Sequence, residues 1–258
     1  MTDKGIAKAD FIAGMAKGMA VLESFDTERQ RLNATQAAER AGLTRAAARR
    51  HLLTLAHLGY LDTDGSHYWL SAKVLRFSGS YLSSARLPRL LQPTLNRLAV
   101  QTRESFSAVV LDADEVVIVA RSASVGGQRF LAHGLHLGAR LPAHATSTGR
   151  VLLAAKTRQE LREWMRGREL RRLTAQTTVE AKRFSAALDQ VRKDDFALAS
   201  EEHELGVTAL AVPLRDMRGH TVAALNVVVA ADRLSASDLL QDHLPLLLDA
   251  ARELRPLL

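Results

Sequence analysis

Apolar positions recur at helical spacing along the N-terminal part of the chain, and further on the period shortens to that of strands. Phe11 to Phe25 places Ile12, Met15, Met19 and Leu22 three or four apart, which predicts a helix along that stripe. Gly14 and Gly18 weaken it slightly. A short second helix starts at Asn33 or Ala34 and runs through Thr35–Ala41, where Gly42 ends it as glycine does at helix C-termini. Leu43 plugs the turn, and Thr44 is a good N-cap for a third helix from Arg45 to Leu58 that stops at Gly59. Ala48, Leu52, Leu55 and Ala56 fall at i, i+4, i+7 and i+8 and share its buried face. A short helix, a turn with glycine and a longer helix make the helix-turn-helix pattern. The stretch Tyr60–Leu70 then reads as two strands around Asp64-Gly65, a hairpin turn signal, and a hairpin directly after the third helix is a wing.

Ser71 to Ser84 predicts a connecting helix, capped by Ser71 and striped with Val74, Leu75, Gly79 and Leu82. Leu87 to Arg103 is another, with Pro88 in its first turn and Pro93 placed to kink it. The reading divides the chain into a winged helix-turn-helix domain over 1–70, a linker helix over 71–84 and a second domain over 85–258. In that domain 105–111 and 116–121 alternate as strands around a turn at 112–115. A loop at 124–127 and a strand at 129–133 follow. Helices are predicted from a Thr146 or Ser147 cap to Ala154, over 157–166 and over 179–193. Strands follow at 196–202, 206–214 and 221–230, with 216–219 turning the last pair. Ser235 caps a final helix with Leu240, Leu244, Leu247, Ala251 and Leu254 on one face. Strands, helices, strands and a helix in that order give an α+β sandwich whose antiparallel sheet has one covered face, and a second face roofed by the middle helices that can hold a pocket.

Charge sharpens the first module. Formal net charge is +7, which favours polyanions such as nucleic acid. Residues 1–73 hold ten Lys/Arg against eight Asp/Glu, so the excess there is only +2 and placement matters more than total. No acid occurs between Thr44 and Gly59, and Arg45, Arg49 and Arg50 sit in the first two turns of the third helix, the part that reaches bases and phosphates. Expected DNA contacts are therefore Thr35, Thr44, Arg45, Ala46, Ala47, Arg49 and Arg50, with Ser66 and His67 at the wing tip touching backbone or minor groove. The chain has no cysteine, which excludes disulfides, thiolate metal sites and a cysteine nucleophile. Without a long apolar run or a secretory leader, the expected location is the cytoplasm, with no membrane partner.

The order and wording of these segments resemble the IclR family of bacterial transcription factors over residues 13–255. The resemblance rests on Leu43-Thr-Arg-Ala-Ala-Ala-Arg-Arg50 with Leu58-Gly-Tyr60, on Asp114-Glu-Val-Val-Ile-Val-Ala-Arg121, and on Gly138-Ala-Arg-Leu-Pro142 with Thr146-Ser-Thr-Gly-Arg-Val-Leu-Leu-Ala154. Glu201-Glu202, Ala211-Val-Pro-Leu-Arg-Asp216 and Ala223-Ala-Leu-Asn-Val227 complete it. It implies a GAF-like effector domain, a homodimer or dimer of dimers on a palindromic operator in double-stranded DNA, and a small organic acid, aromatic or dicarboxylic, as effector in control of a catabolic operon. The wording is closest to the branch that senses 4-hydroxybenzoate, protocatechuate or related ring-cleavage acids. His144, Thr148 and Ser200 depart from the family's usual residues.

The residues themselves offer an effector site. Thr146, Ser147 and Thr148 open a helix, and free amides and hydroxyls at a helix start suit an anion. Arg150 or Arg121 could pair with a carboxylate there. Asn226, between Leu225 and Val227, either faces solvent or lines the pocket. His144 and Ser200 complete the candidate set. His133, His136 and His144 lack carboxylates at ligand spacing, so no metal is expected, and no cofactor. An enzyme is the rival class, with Ser147 and a histidine as nucleophile and base. There is however no nucleophile elbow, phosphate loop or dinucleotide fingerprint. A regulator without an effector is the other alternative.

Overall fold

In the computed structural model, which describes residues 6–7, 9–26, 29–122 and 135–258, the N-terminal helices begin and end where their caps dictate. Helix α1 is Ala13–Leu22, α2 Ala34–Ala41 and α3 Arg45–His57. Asn33 accepts the Thr35 and Gln36 amides while Gln36 reaches back to the Asn33 amide, a reciprocal box that starts α2. Gly42 ends it in the left-handed conformation, φ 63°, where a side chain would be strained. The Thr44 hydroxyl accepts the Ala47 amide and starts α3. Ala48, Leu52 and Leu55 are buried and Ala56 half-buried, as the spacing predicts. Strands β1 (Leu61–Thr63) and β2 (Tyr68–Leu70) form the wing. Leu32 and Tyr68 exchange both backbone hydrogen bonds, tying the wing to the start of α2.

One orientation is corrected. The Ile12, Met15 and Met19 stripe of α1 faces outward, at 68, 68 and 47% exposure, and the helix buries Val21 instead, with Phe25 just beyond it. Gly18 sits close to the His51 ring on α3. A narrow glycine face docks more closely than a methionine face, and periodicity alone does not say which face meets a neighbour.

Ser71 caps a 3-10 turn at Ala72–Val74 that leads into α4 (Leu75–Ser84). No residue of α4 is buried, so its expected apolar stripe packs only lightly. Phe77 stacks on Tyr60, ring centroids 5.6 Å apart. The chain divides into two units between Tyr81 and Leu82.

The second unit is built on a six-stranded antiparallel sheet in the order β5-β4-β3-β8-β7-β6. Its strands are β3 (Ser105–Asp112), β4 (Glu115–Arg121), β5 (Arg140–Pro142), β6 (Ala197–Ser200), β7 (Val207–Arg215) and β8 (Thr221–Ala230). The β3–β8 pairing joins the early hairpin to the late one at the middle of the sheet. Alternation then sorts residues to two faces. Phe106, Ala108, Leu210, Val212, Leu225 and Val227 form one core with Leu91, Leu95 and Leu98 of α5 (Arg86–Thr102) and Leu247 and Leu254 of α10 (Leu244–Leu254). On the opposite face Val109, Ile118, Ala211 and Ala224 pack against α6 (Ser147–Ala154), α7 (Arg158–Met165) and α8 (Ala181–Asp194). The second face is thus roofed by the middle helices, as expected.

Three details depart from expectation. Strand β5 was not predicted, and the strand expected over 196–202 ends at Ser200. The final helix opens as α9 (Ala236–Asp238) and passes through a π turn at Leu239–His243, closed by the Leu244 amide on the Leu239 carbonyl. Pro245 has no amide to donate, and the wider turn before it shifts the register. Leu239, His243, Leu247, Ala250 and Leu254 are buried, while Leu240, Leu244 and Ala251 of the predicted face are half-buried. The loop expected at 124–127 and the strand at 129–133 lie outside the described residues.

One glycine decides how α6 sits. A Cβ on Gly149 would run into the backbone of Ala143, so only glycine lets the turn at Ala143–Ala145 fold over the start of the helix. Gly149→Ala is expected to cost about 1–3 kcal/mol through overpacking. A lower urea midpoint at unchanged slope would register it, and an unchanged midpoint would mean that the turn yields freely.

Candidate effector pocket and nucleic-acid interface

Packing against α6 leaves a cavity near the helix's first turn. Its empty space, counted together with the open mouth and the solvent there, is about 660 Å³. Ser107, Val109, Ile118, Asn226 and Val228 form part of its sheet wall. Ala145, Thr146, Ser147 and Thr148 come from the α6 entry. A strap between β6 and β7 contributes Glu202, His203 and Glu204.

The α6 entry is the polar end. Thr146 is the N-cap, its hydroxyl accepting the Gly149 amide at 3.1 Å. The Ser147 and Thr148 amides lie in the first turn, where no intrahelical acceptor exists. Ser147 is 1% exposed and its Oγ has no partner among the described residues. Asn226 is 8% exposed and its Oδ1 has no partner among the described residues, so of the two orientations open to it the pocket side is realised. Unpaired buried polar atoms cost on the order of 1–3 kcal/mol, a cost that a polar ligand would relieve.

Four sequence candidates are not brought to this wall. Arg150 is buried and its guanidinium is taken up by Glu202 in an ion pair whose two side chains are only 8 and 9% exposed. That carboxylate also accepts the Thr178 amide at 3.0 Å. Arg121 donates to the Leu135 carbonyl at 2.6 Å and so fixes a lining residue without lining the cavity itself. His144 faces away, bonded to the Arg171 carbonyl, and borders a separate surface cleft with Trp164 and Arg168. Ser200 is exposed at the end of β6. The reason is common to all four: a polar side chain in a sandwich is claimed by whichever complementary group folds nearest, and those groups are distant in sequence. Sequence reasoning in turn missed Glu202, His203 and Glu204 as wall residues. Burial pushes the His203 imidazole below its ordinary range, with Glu204 opposing and His144 reinforcing.

His136 bonds the Leu137 carbonyl, and His133 lies outside the described residues. Among the described residues no three His, Asp or Glu side chains converge, and no helix is long and apolar enough to cross a membrane.

On the first unit Arg45, Arg49 and Arg50 are exposed along the start of α3, and none pairs with an acid among the described residues. Thr35, Thr44 and Ala46 are exposed beside them and Ala47 is half-buried. At the wing tip Asp64 accepts the Ser66 and His67 amides and the Ser66 hydroxyl. The His67 and Ser66 backbone bonds, above all, hold its carboxyl down at about 2. Ser66 is exposed and His67 half-buried there. Arg31 lies over the Trp69 ring at 4.0 Å, adding a cation at the wing's base.

Two family profiles cover this architecture end to end. The IclR helix-turn-helix domain matches residues 14–65, and the bacterial transcriptional regulator IclR C-terminal domain matches 79–255. The chain belongs to the IclR family. As a member it is a DNA-binding transcriptional regulator with an effector domain, and not an enzyme. It is 52% identical over 254 residues to the p-hydroxybenzoate hydroxylase transcriptional activator of Acinetobacter baylyi, covering 98% of this chain and 94% of that protein. The Pca operon regulatory protein of the same organism is 50% identical, at 99 and 92% coverage. Among solved structures, the double mutant of the PobR inducer-binding domain from Acinetobacter, in complex with 3-hydroxybenzoic acid, is 46% identical with a TM-score of 0.63. It covers 66% of this chain and 98% of its own. The IclR relationship expected from the motifs is therefore established.

Proposed function

We propose that this regulator takes an aromatic monocarboxylic acid of the hydroxybenzoate type in the cavity beside α6 and governs a catabolic operon for such compounds. The observation that carries the reading is that two buried polar atoms facing the same cavity, Ser147 Oγ at the start of α6 and Asn226 Oδ1 on β8, have no partner among the described residues. The carboxylate sits on the Ser147 and Thr148 amides, where the helix end is electropositive, and the ring lies among Val109, Ile118 and Val228. Relatives named for p-hydroxybenzoate and Pca regulation support the ligand class. DNA is held by α3 in the major groove, through Arg45, Arg49 and Arg50, with the wing alongside. The chain acts in the cytoplasm as a homodimer or dimer of dimers on a palindromic operator, because half-sites about one turn, ~34 Å, apart need two copies of α3. The effector acts only in so far as it binds two arrangements of those copies with different affinity.

The test is thermal unfolding of the full chain against benzoate, 3- and 4-hydroxybenzoate and protocatechuate. A saturable rise is expected, worth about 2.7 kcal/mol at a hundred times Kd. No rise with any of the four at millimolar concentration would remove the effector assignment and leave the DNA-binding assignment standing.

A further inference from the structure

The strap between β6 and β7 is built more rigidly than a loop at a pocket mouth requires. Glu201 adopts a left-handed backbone, φ 56°, rare for a residue with a side chain. Its amide donates to the Val207 carbonyl at 2.7 Å and its carboxylate accepts the Gly206 amide at 2.8 Å, closing the strap on itself. From outside, Thr174 Oγ donates to the Glu201 carbonyl at 2.6 Å and Thr177 Oγ to the Glu202 carbonyl at 2.7 Å. The buried Arg150 pair then ties Glu202 to α6, the other wall of the cavity. A strap locked at this many points presents its next residue, His203, in a fixed position. His203 lines the cavity and is half-buried, and its ring has no hydrogen-bond partner among the described residues.

We propose that His203 is a specificity-determining residue that reads a hydroxyl on the effector ring opposite the carboxylate, and that the strap carrying it rejects a second carboxylate at that end. The proposal rests on the aromatic-acid reading of the pocket. Spacing supports it. Asn226 pairs with Ala211, and the strap rejoins the sheet at Val207, four residues further along β7. At roughly 3.3 Å per residue that is about 13 Å of backbone. That places the strap beyond the Asn226 wall, on the Val207 side of the cavity.

Charge supports it as well. The described wall residues include two carboxylates, Glu202 and Glu204, and no lysine or arginine. Glu202 is already neutralised by Arg150, while Glu204 is exposed at the mouth. A second anionic group on the ligand would meet acids and an imidazole whose charged form burial disfavours. A phenolic hydroxyl can donate a hydrogen bond to the acceptor nitrogen of the uncharged imidazole.

The experiment is isothermal titration of the full chain with benzoate, 4-hydroxybenzoate and terephthalate. Wild type should bind 4-hydroxybenzoate about tenfold tighter than benzoate, the worth of one net hydrogen bond, and terephthalate weakest of the three. His203→Phe should abolish the preference for 4-hydroxybenzoate over benzoate, bringing the ratio of their affinities to about one. His203→Gln, which keeps an acceptor, should restore part of the preference. If His203→Phe weakens both monoacids in proportion, or if wild type binds terephthalate as tightly as 4-hydroxybenzoate, the proposal is overturned while the aromatic-acid reading survives. If none of the three binds, both fall together.

Discussion

Replacing Arg49 and Arg50 together by alanine is expected to lower the affinity for operator DNA at least a hundredfold at physiological salt. Each arginine that contacts a base edge contributes about 1–3 kcal/mol, and the proposed homodimer would lose both contacts twice. The two guanidinium groups lie outside the buried Ala48–Leu52–Leu55 face, exposed and with no acid paired to them among the described residues. The fold should therefore be indifferent to the change, within the roughly ±0.5 kcal/mol usual for exposed sites. The plot of log K against log salt should flatten by about 0.9 for every phosphate contact removed, which separates backbone contacts from base contacts. The thermal shift by 4-hydroxybenzoate should be unaltered, since the cavity belongs to the second unit. Loss of DNA binding together with loss of the effector shift would contradict this division of labour, as would retention of both.

The expectation could be drawn from sequence because a helix-turn-helix is specified by local chemistry. Asn33, Gly42 and Thr44 act on amides and carbonyls within a few residues, and Asp64 folds the wing tip through its own neighbours. Such signals survive in a string of letters. The docking side of α1 does not. Its methionine stripe and its Gly18–Val21 side are both consistent with a helix, and only the partner helix selects between them. The π turn is a similar case. Pro245 marks a place where the hydrogen-bond ladder must break, yet whether the chain answers with a kink, an end or a wider turn depends on how Leu239 and Leu247 meet the sheet.

The pocket divides along the same line. Thr146, Ser147 and Thr148 were legible because a capped helix start advertises itself, and Asn226 because a lone amide interrupts an apolar strand. His203 was hidden, since the run through Ser200-Glu201-Glu202 reads as strand. The signals that could have exposed the strap are Gly206 and the adjacent pair of acids, which no exposed strand end needs. Arg150 stands beside Arg121 as a candidate counter-ion in the sequence because its partner, Glu202, is 52 residues away, and no local pattern connects them.

That pair gives the second large effect. Glu202→Leu should destabilise the chain by about 3–5 kcal/mol, because it leaves the Arg150 guanidinium buried without its acid. Its Nε has no partner among the described residues, so the loss falls on a group with little left to lean on. Arg150→Met combined with Glu202→Leu should recover most of the loss, since an apolar pair of similar volume carries no desolvation cost. Urea unfolding of the four chains in the cycle measures the coupling directly. The alternative outcome is as informative. A Glu202→Leu chain as stable as wild type, binding benzoate more tightly, would mean that Arg150 turns to the ligand once its acid is gone. It would then be the effector's counter-ion that the sequence suggests, held in check by Glu202 until a carboxylate arrives.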